Sequence, residues 1–188
     1  VGTVGRLLPG IEHALDPVPG VEGGRLSVRG PNVMLGYLRH DKPGVIQPPA
    51  TERGAGWYDT GDIVSIDAEG FITIRGRAKR FAKIGGEMVS LAVVEELAAR
   101  AWAAGQHACV SLPDFQKGEQ LILVTTRPTP ARAELSAQAR EDGVSELHVP
   151  KRLVCAPAIP LLGSGKTDYP AVLALVEAAL PRGEQQVS

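Results

Sequence analysis

The sequence predicts an α+β protein in two parts: a small antiparallel β subdomain over residues 1–75 and an α+β domain over 84–181, joined by a short segment at 76–83. Two observations carry that reading. Residues 1–75 hold 20 Gly and Pro, against 17 in the longer stretch 76–188, and such punctuation cuts a chain into short strands and turns. Beyond residue 75 the apolar period lengthens from two to that of a helix, with Leu91, Val94, Leu97, Ala98 and Ala101 on one face.

Each element follows from its residues. Gly24-Arg-Leu-Ser-Val-Arg29 alternates in and out as a strand does. Residues 62–66 and 71–75 are β-branched runs joined by Asp67-Ala-Glu-Gly70, whose glycine suits a left-handed turn position, so they form a hairpin. Ser90 can cap the helix that carries Leu91 to Ala101, and Glu96 and Arg100 pair outside it at i,i+4. Strands follow at 107–112 and 120–126, then a helix over about 130–141, a short strand at 153–155 and a last helix from about 168. The polar stretch 182–188 reads as a frayed tail.

The chain has 188 residues and 19.8 kDa, enough to bury a core without disulfides. Apolar residues make up 44% and charged ones 22%, with a net charge of −1. That balance leaves no global field for nucleic acid, so nucleic-acid binding is discounted. Two cysteines, Cys109 and Cys155, make no disulfide framework, and no Cys/His spacing suits a metal. Cys109, inside an apolar run, reads as a buried inert thiol, and a reducing cytoplasmic setting is expected. No apolar run approaches the ~20 residues that span a bilayer. The opening Val1-Gly-Thr-Val has neither Met nor a leader pattern, so a piece of a longer protein is expected.

Three groups of residues could carry chemistry. Trp57-Tyr-Asp-Thr-Gly-Asp62 sets two carboxylates and a hydroxyl at the mouth of a strand. A carboxylate accepts two parallel hydrogen bonds, which suits a diol such as ribose, and equally Asp59 and Asp62 could only shape a turn. The run 75–83 holds five cations and no acid, with Arg77, Lys79, Arg80 and Lys83 able to hold phosphates around Phe81, or to be a solvated linker ending in Gly85-Gly86. Leu161-Leu-Gly-Ser-Gly-Lys-Thr167 ends like a P-loop, but Pro160 stands where that pattern needs glycine and no buried parallel strand leads in. What remains is a Gly-Ser-Gly loop presenting Lys166, a mobile cation.

In this order the pieces resemble the C-terminal part of the adenylate-forming (AMP-binding) acyl ligases. Val33-Met-Leu-Gly-Tyr37, Trp57 to Asp62, Gly76 to Glu96 and Gly163-Ser-Gly-Lys166 look like four successive motifs of that superfamily. The wording of 76–91 and 160–166 is most similar to the bacterial bifunctional 2-acylglycerophosphoethanolamine acyltransferase/acyl-[acyl-carrier-protein] synthetases. The resemblance implies a distorted barrel-like β remnant of a large adenylation domain, a hinge at 76–83 and a mobile C-terminal lid. It implies a fatty acid activated by ATP, with Mg2+, to an acyl-adenylate, then passed to the phosphopantetheine thiol of acyl carrier protein.

By motif, Lys166 would be catalytic, and Asp62, Arg77, Tyr58 and Thr60 would hold the nucleotide. Lys79 would be the hinge residue, while Lys83, Gly85 and Gly86 would line the pantetheine path. Lys79 departs from the Asp of many relatives, Leu162 from a Thr, and Asp168-Tyr169 from a common Arg. The phosphate loop, adenine pocket and acid tunnel would lie upstream, so the fragment alone is expected to bind no cofactor tightly and to be inactive. The expected setting is the cytoplasmic face of the bacterial inner membrane, reached through those other parts. An acyl-CoA synthetase and a non-catalytic carrier-docking module are the alternatives.

Overall fold

A computed structural model of the chain describes residues 2–180, so the expected tail at 182–188 lies outside the described residues. The fold is mixed α+β and divides into two compact units, with the division between Lys79 and Arg80.

The first unit is built of strands β1 (Glu12–Pro17), β2 (Gly24–Arg29), β3 (Tyr37–Leu38), β4 (Ile46–Gln47), β5 (Ala50–Thr51), β6 (Gly54–Ala55), β7 (Tyr58–Ile66) and β8 (Ile72–Arg77). Its main sheet has the order β1-β2-β7-β8, antiparallel throughout, while β3-β4 and β5-β6 are separate short ribbons. The expected hairpin is β7–β8: Ser65 pairs with Thr73, and the Asp67 carboxylate accepts from the Phe71 amide at 2.8 Å to close the turn. Leu26, Val64 and Ile72 are buried at its centre, with Leu7, Leu15, Val28 and Ile66 packed around them. Gly23 is required where the chain enters β2. Its φ is +97°, and a Cβ there would stand 2.0 Å from the Val64 carbonyl oxygen.

The second unit contains β9 (Phe81–Ile84), β10 (Glu87–Ser90), α1 (Leu91–Ala101), β11 (His107–Asp114), β12 (Gly118–Thr125), α2 (Arg132–Glu141), β13 (Arg152–Cys155) and α3 (Tyr169–Ala179). β12 is its hub: β11 runs antiparallel along it, β13 parallel, and β9 meets its start at Gly118. Both faces of the β11–β12 pair are covered, which explains why their residues read as continuous apolar runs rather than alternating ones. Cys109, Leu121 and Leu123 face α1 and α2, through Leu97, Ala98 and Leu135. Val110, Ile122 and Val124 face α3, through Val172 and Val176.

Local chemistry sets the ends of the helices. The Ser90 hydroxyl accepts from the Val93 amide, so α1 starts where its cap predicts. The helix expected from about 130 begins at Arg132, since Ala131 ahead of it is extended, with φ −117° and ψ 123°. In the segment 76–83, expected as a hinge, β8 runs to Arg77, a 3-10 turn covers Ala78–Arg80, and β9 begins at Phe81. The β9–β10 hairpin that follows was not anticipated, since β9 offers only Ala82 and Ile84 as buried positions and lies in a strongly cationic stretch.

Candidate functional site

The first cluster of candidate residues sits on a bulge in β7. Between the pairs Ser27–Asp59 and Arg25–Ile63, β2 supplies one residue and β7 three, Thr60 to Asp62. Such a bulge re-aims side chains that regular pleating would alternate across the sheet. Gly61 takes φ +71° at its centre, and the Thr60 hydroxyl ties it down by donating to the Leu26 carbonyl at 2.9 Å and accepting from the Asp62 amide at 3.1 Å. Asp62 is thereby set opposite Arg77 of β8, whose Nε lies 2.9 Å from Oδ1. The Arg77 guanidinium also donates to the Thr60 carbonyl at 3.0 Å.

Thr60, Asp62 and Arg77 therefore form one charged group, with Asp62 half-buried and Arg77 65% exposed at its side chain. An exposed, pre-aimed guanidinium beside a fixed carboxylate can receive an anion and a hydroxyl side by side. Tyr58 opens the same strand, half-buried and paired with Val28. Asp59, the other carboxylate of the motif, is not available: Arg25 grips both its oxygens. That guanidinium, helped by the Gly61 amide, holds the Asp59 carboxyl below the usual carboxylate range.

The cationic run separates into different fates. Arg77 pairs with Asp62, and Lys79 is exposed in the 3-10 turn. Arg80 turns inward: it donates to Glu95 Oε1 at 2.6 Å and to the Cys109 carbonyl at 2.8 Å, with its side chain only 17% exposed. Arg80 is thus spent on structure, which corrects the expectation for that one residue of the run that it holds a phosphate or is solvated. Phe81 is half-buried on β9, paired with Ser90.

Lys83, Gly85 and Gly86 meet in the β9–β10 hairpin, all exposed. Gly85 and Gly86 take φ +60° and +94° as the two-residue turn, while a Cβ on either would touch nothing within 4 Å. Their first requirement is therefore conformational. The turn is held to the tip of the β11–β12 hairpin, since the Gly85 amide donates to the Lys117 carbonyl at 2.8 Å. Beside it opens a groove of about 230 Å³ lined by Ile84, Lys117, Arg132, Leu147 and Lys151 among others.

Lys166 lies on a tight, exposed loop of its own. Its base is a bridge between Leu161 and Thr167, its carbonyl accepts from the Leu162 amide at 2.8 Å, and the Asp168 amide donates to the Pro160 carbonyl at 2.9 Å. Asp168 then caps α3 by accepting from the Ala171 amide at 3.1 Å. Cys109 is fully buried, and burial pushes its thiol well above the ordinary range, so it is no nucleophile. Among the described residues no three His, Cys, Asp or Glu side chains converge on a possible metal ion.

Sequence reasoning missed one group outright. Glu95 joins Arg80, the Cys109 amide at 2.7 Å and the Tyr169 hydroxyl at 3.2 Å. Arg80 also stacks on the Tyr169 ring, 3.7 Å from its centre. These residues are spread over four elements. The one available signal was a cation and an aromatic at positions that neither periodicity nor motif explained.

No family model matches the chain. Among proteins of known name, Enterobactin synthase component E of Escherichia coli (strain K12) is 35% identical over 154 residues, covering 81% of this chain and 28% of that protein. The 2,3-dihydroxybenzoate-AMP ligase of Bacillus subtilis (strain 168) is 33% identical over 174 residues, 92% of this chain and 31% of its own length. A 2-hydroxy-7-methoxy-5-methyl-1-naphthoate--CoA ligase of Streptomyces carzinostaticus is 33% identical over 156 residues, 81% of this chain and 27% of that protein. The chain thus spans less than a third of each of these relatives.

Among solved structures, ATP-bound MatB from Rhodopseudomonas palustris shares the fold with a TM-score of 0.69 at 24% identity, over 95% of this chain and 36% of that one. O-succinylbenzoate coenzyme A synthetase (MenE) from Bacillus subtilis, in complex with AMP, matches with a TM-score of 0.66 at 26% identity, over 89% of this chain and 34% of that one. In sequence and in fold alike, the chain is similar to the C-terminal region of the adenylate-forming ligases.

Proposed function

We propose that this chain is the C-terminal part of an AMP-forming ligase that joins a carboxylic acid to a thiol through an acyl-adenylate. The acid's carboxylate attacks the α-phosphorus of ATP and pyrophosphate leaves; the thiol then attacks the acyl carbon and AMP leaves. The observation that carries the reading is an exposed ammonium, that of Lys166, on a tight loop whose base is bonded at Leu161–Thr167 and Leu162–Lys166. Charge grows on the α-phosphate oxygens as the carboxylate attacks, and a cation already in place stabilises it without reorganisation.

Asp62 accepts the ribose hydroxyls, and Arg77, exposed and aimed by the same bulge, reaches ribose or phosphate beside it. Tyr58 and Thr60 complete that side, Thr60 by holding the bulge. Residues 1–75 are a β remnant of a larger adenylation domain, 76–83 is the hinge and Lys79 its pivot, and 84–181 is the mobile lid. Lys83, Gly85 and Gly86 border the pantetheine path. Magnesium would arrive with ATP; the described residues offer no cluster of three His, Cys, Asp or Glu to hold it.

For the finer specificity, the wording of the hinge and lysine-loop motifs supports a fatty acid as substrate and acyl carrier protein as acceptor, in phospholipid acyl turnover at the inner membrane. Coenzyme A is the second reading, favoured by the relative named as a CoA ligase. In the intact ligase, Lys166→Ala lowers adenylation by roughly 10²–10³ and transfer of preformed acyl-adenylate much less. Equal losses in both half-reactions would overturn the role of Lys166. Turnover with purified acyl carrier protein and with coenzyme A, side by side, decides the acceptor. The isolated 188 residues should release no pyrophosphate from ATP and a long-chain acid.

A further inference from the structure

One arginine in a run of otherwise exposed cations, Arg80, turns inward. Arg80 is the first residue of the second unit. Its guanidinium is shared between Glu95 of α1, the Cys109 carbonyl of β11 and the face of Tyr169 at the start of α3. The Tyr169 hydroxyl reaches back to Glu95 Oε2 at 3.2 Å, with the Thr167 side chain as a further partner.

Tyr169 stands three residues from Lys166, and the intervening links are short and bonded. Asp168 joins Pro160 by its amide and caps α3 by its carboxylate, while Thr167 forms the base of the lysine loop with Leu161. On its other side Tyr169 packs on the cluster of Val172, Ile122 and Val124.

We propose that Arg80, Glu95 and Tyr169 are positioning residues for Lys166, tying the lysine loop to the residue that follows Lys79 and opens the second unit. The inference rests on the reading of Lys166 as the adenylation cation. A side chain on a Gly-Ser-Gly loop has wide reach, and a misplacement of about 1 Å can cost on the order of 10²-fold in rate. The Arg80–Tyr169 stack removes that freedom at the loop's base. It also lets the lysine move with the start of the domain as one body, although the two are far apart in sequence. The partly buried ion pair is suited to this, because its geometry is directional where an apolar contact would permit sliding.

Amide hydrogen exchange on this chain tests the tie directly. In Tyr169→Leu the amides of Leu162, Gly165 and Asp168 should exchange about tenfold faster, while those in the last turns of α1 stay within about twofold. Tyr169→Phe, which keeps the stack and loses the hydroxyl, should fall between. Unchanged loop amides would overturn the proposal, and so would a uniform rise across the second unit, which marks a merely structural residue. In the intact ligase, Arg80→Met should lower the adenylation kcat about tenfold with KM for ATP little changed, and Arg80→Lys should restore only part of it. Lys166→Ala separates the two readings. If it leaves adenylation intact the assignment of Lys166 fails, whereas the exchange result judges the tie alone.

Discussion

Asp59 and Asp62 stand three residues apart in one motif and do different work, because a bulge lies between them. Asp59 is held by Arg25 and the Gly61 amide, Asp62 in the middle of the same strand by Arg77 at the end of β8. The arginine lowers the Asp59 pKa below its unfolded value. A group depressed in the folded state contributes stability above its unfolded pKa, and that contribution is lost as pH falls through the folded value. Asp59→Asn is therefore expected to melt earlier than wild type at pH 7, with the two curves converging below about pH 4. Thermal melts from pH 7 to 3 check this; a gap that stays constant down to pH 3 would remove the ion pair as its cause.

At the scale of elements, the β9–β10 hairpin sets a folding requirement on the same glycines that are proposed to border the pantetheine path. Gly85 and Gly86 are needed first because both turn positions have positive φ, where other residues cost about 1–2 kcal/mol each. Asparagine tolerates the left-handed region and open space surrounds the Gly85 Cβ position, so Gly85→Asn should leave the melting temperature close to wild type. If the turn also borders the pantetheine path, the same variant in the intact ligase should slow thioester formation more than adenylation. An unchanged ratio of the two rates would leave the glycine with its conformational role alone.

For the whole molecule, each buried apolar cluster draws its residues from one side of the Lys79–Arg80 division. Leu97 is buried against Leu123 and Leu135 in the second unit, and Leu97→Ala should cost that unit about 2–5 kcal/mol. The two tryptophans fall one to each unit, Trp57 and Trp102. In a Trp57→Phe background, the unfolding transition reported by Trp102 should move to lower denaturant. Amide exchange in β7 and β8 of the same variant should stay at the wild-type rate. Equal acceleration there would mean that the two units unfold as one.

Much of this was written locally. The β7–β8 hairpin, the Ser90 cap, the apolar stripe of α1 and the Gly-Ser-Gly loop are each specified by residues within a turn or two of one another, where period, cap and turn chemistry act. The motif order, from Tyr58 through Arg77 to Lys166, likewise lies open in the sequence and points to the adenylate-forming ligases. Tertiary structure alone decided which arginine holds each carboxylate, which cation faces solvent and which turns inward. Arg80 looked like its neighbours Lys79 and Lys83 because nothing within several residues distinguishes it. Its partners Glu95, Cys109 and Tyr169 are brought to it by the packing of α1, β11 and α3, and contacts between distant elements leave no periodic trace in a sequence.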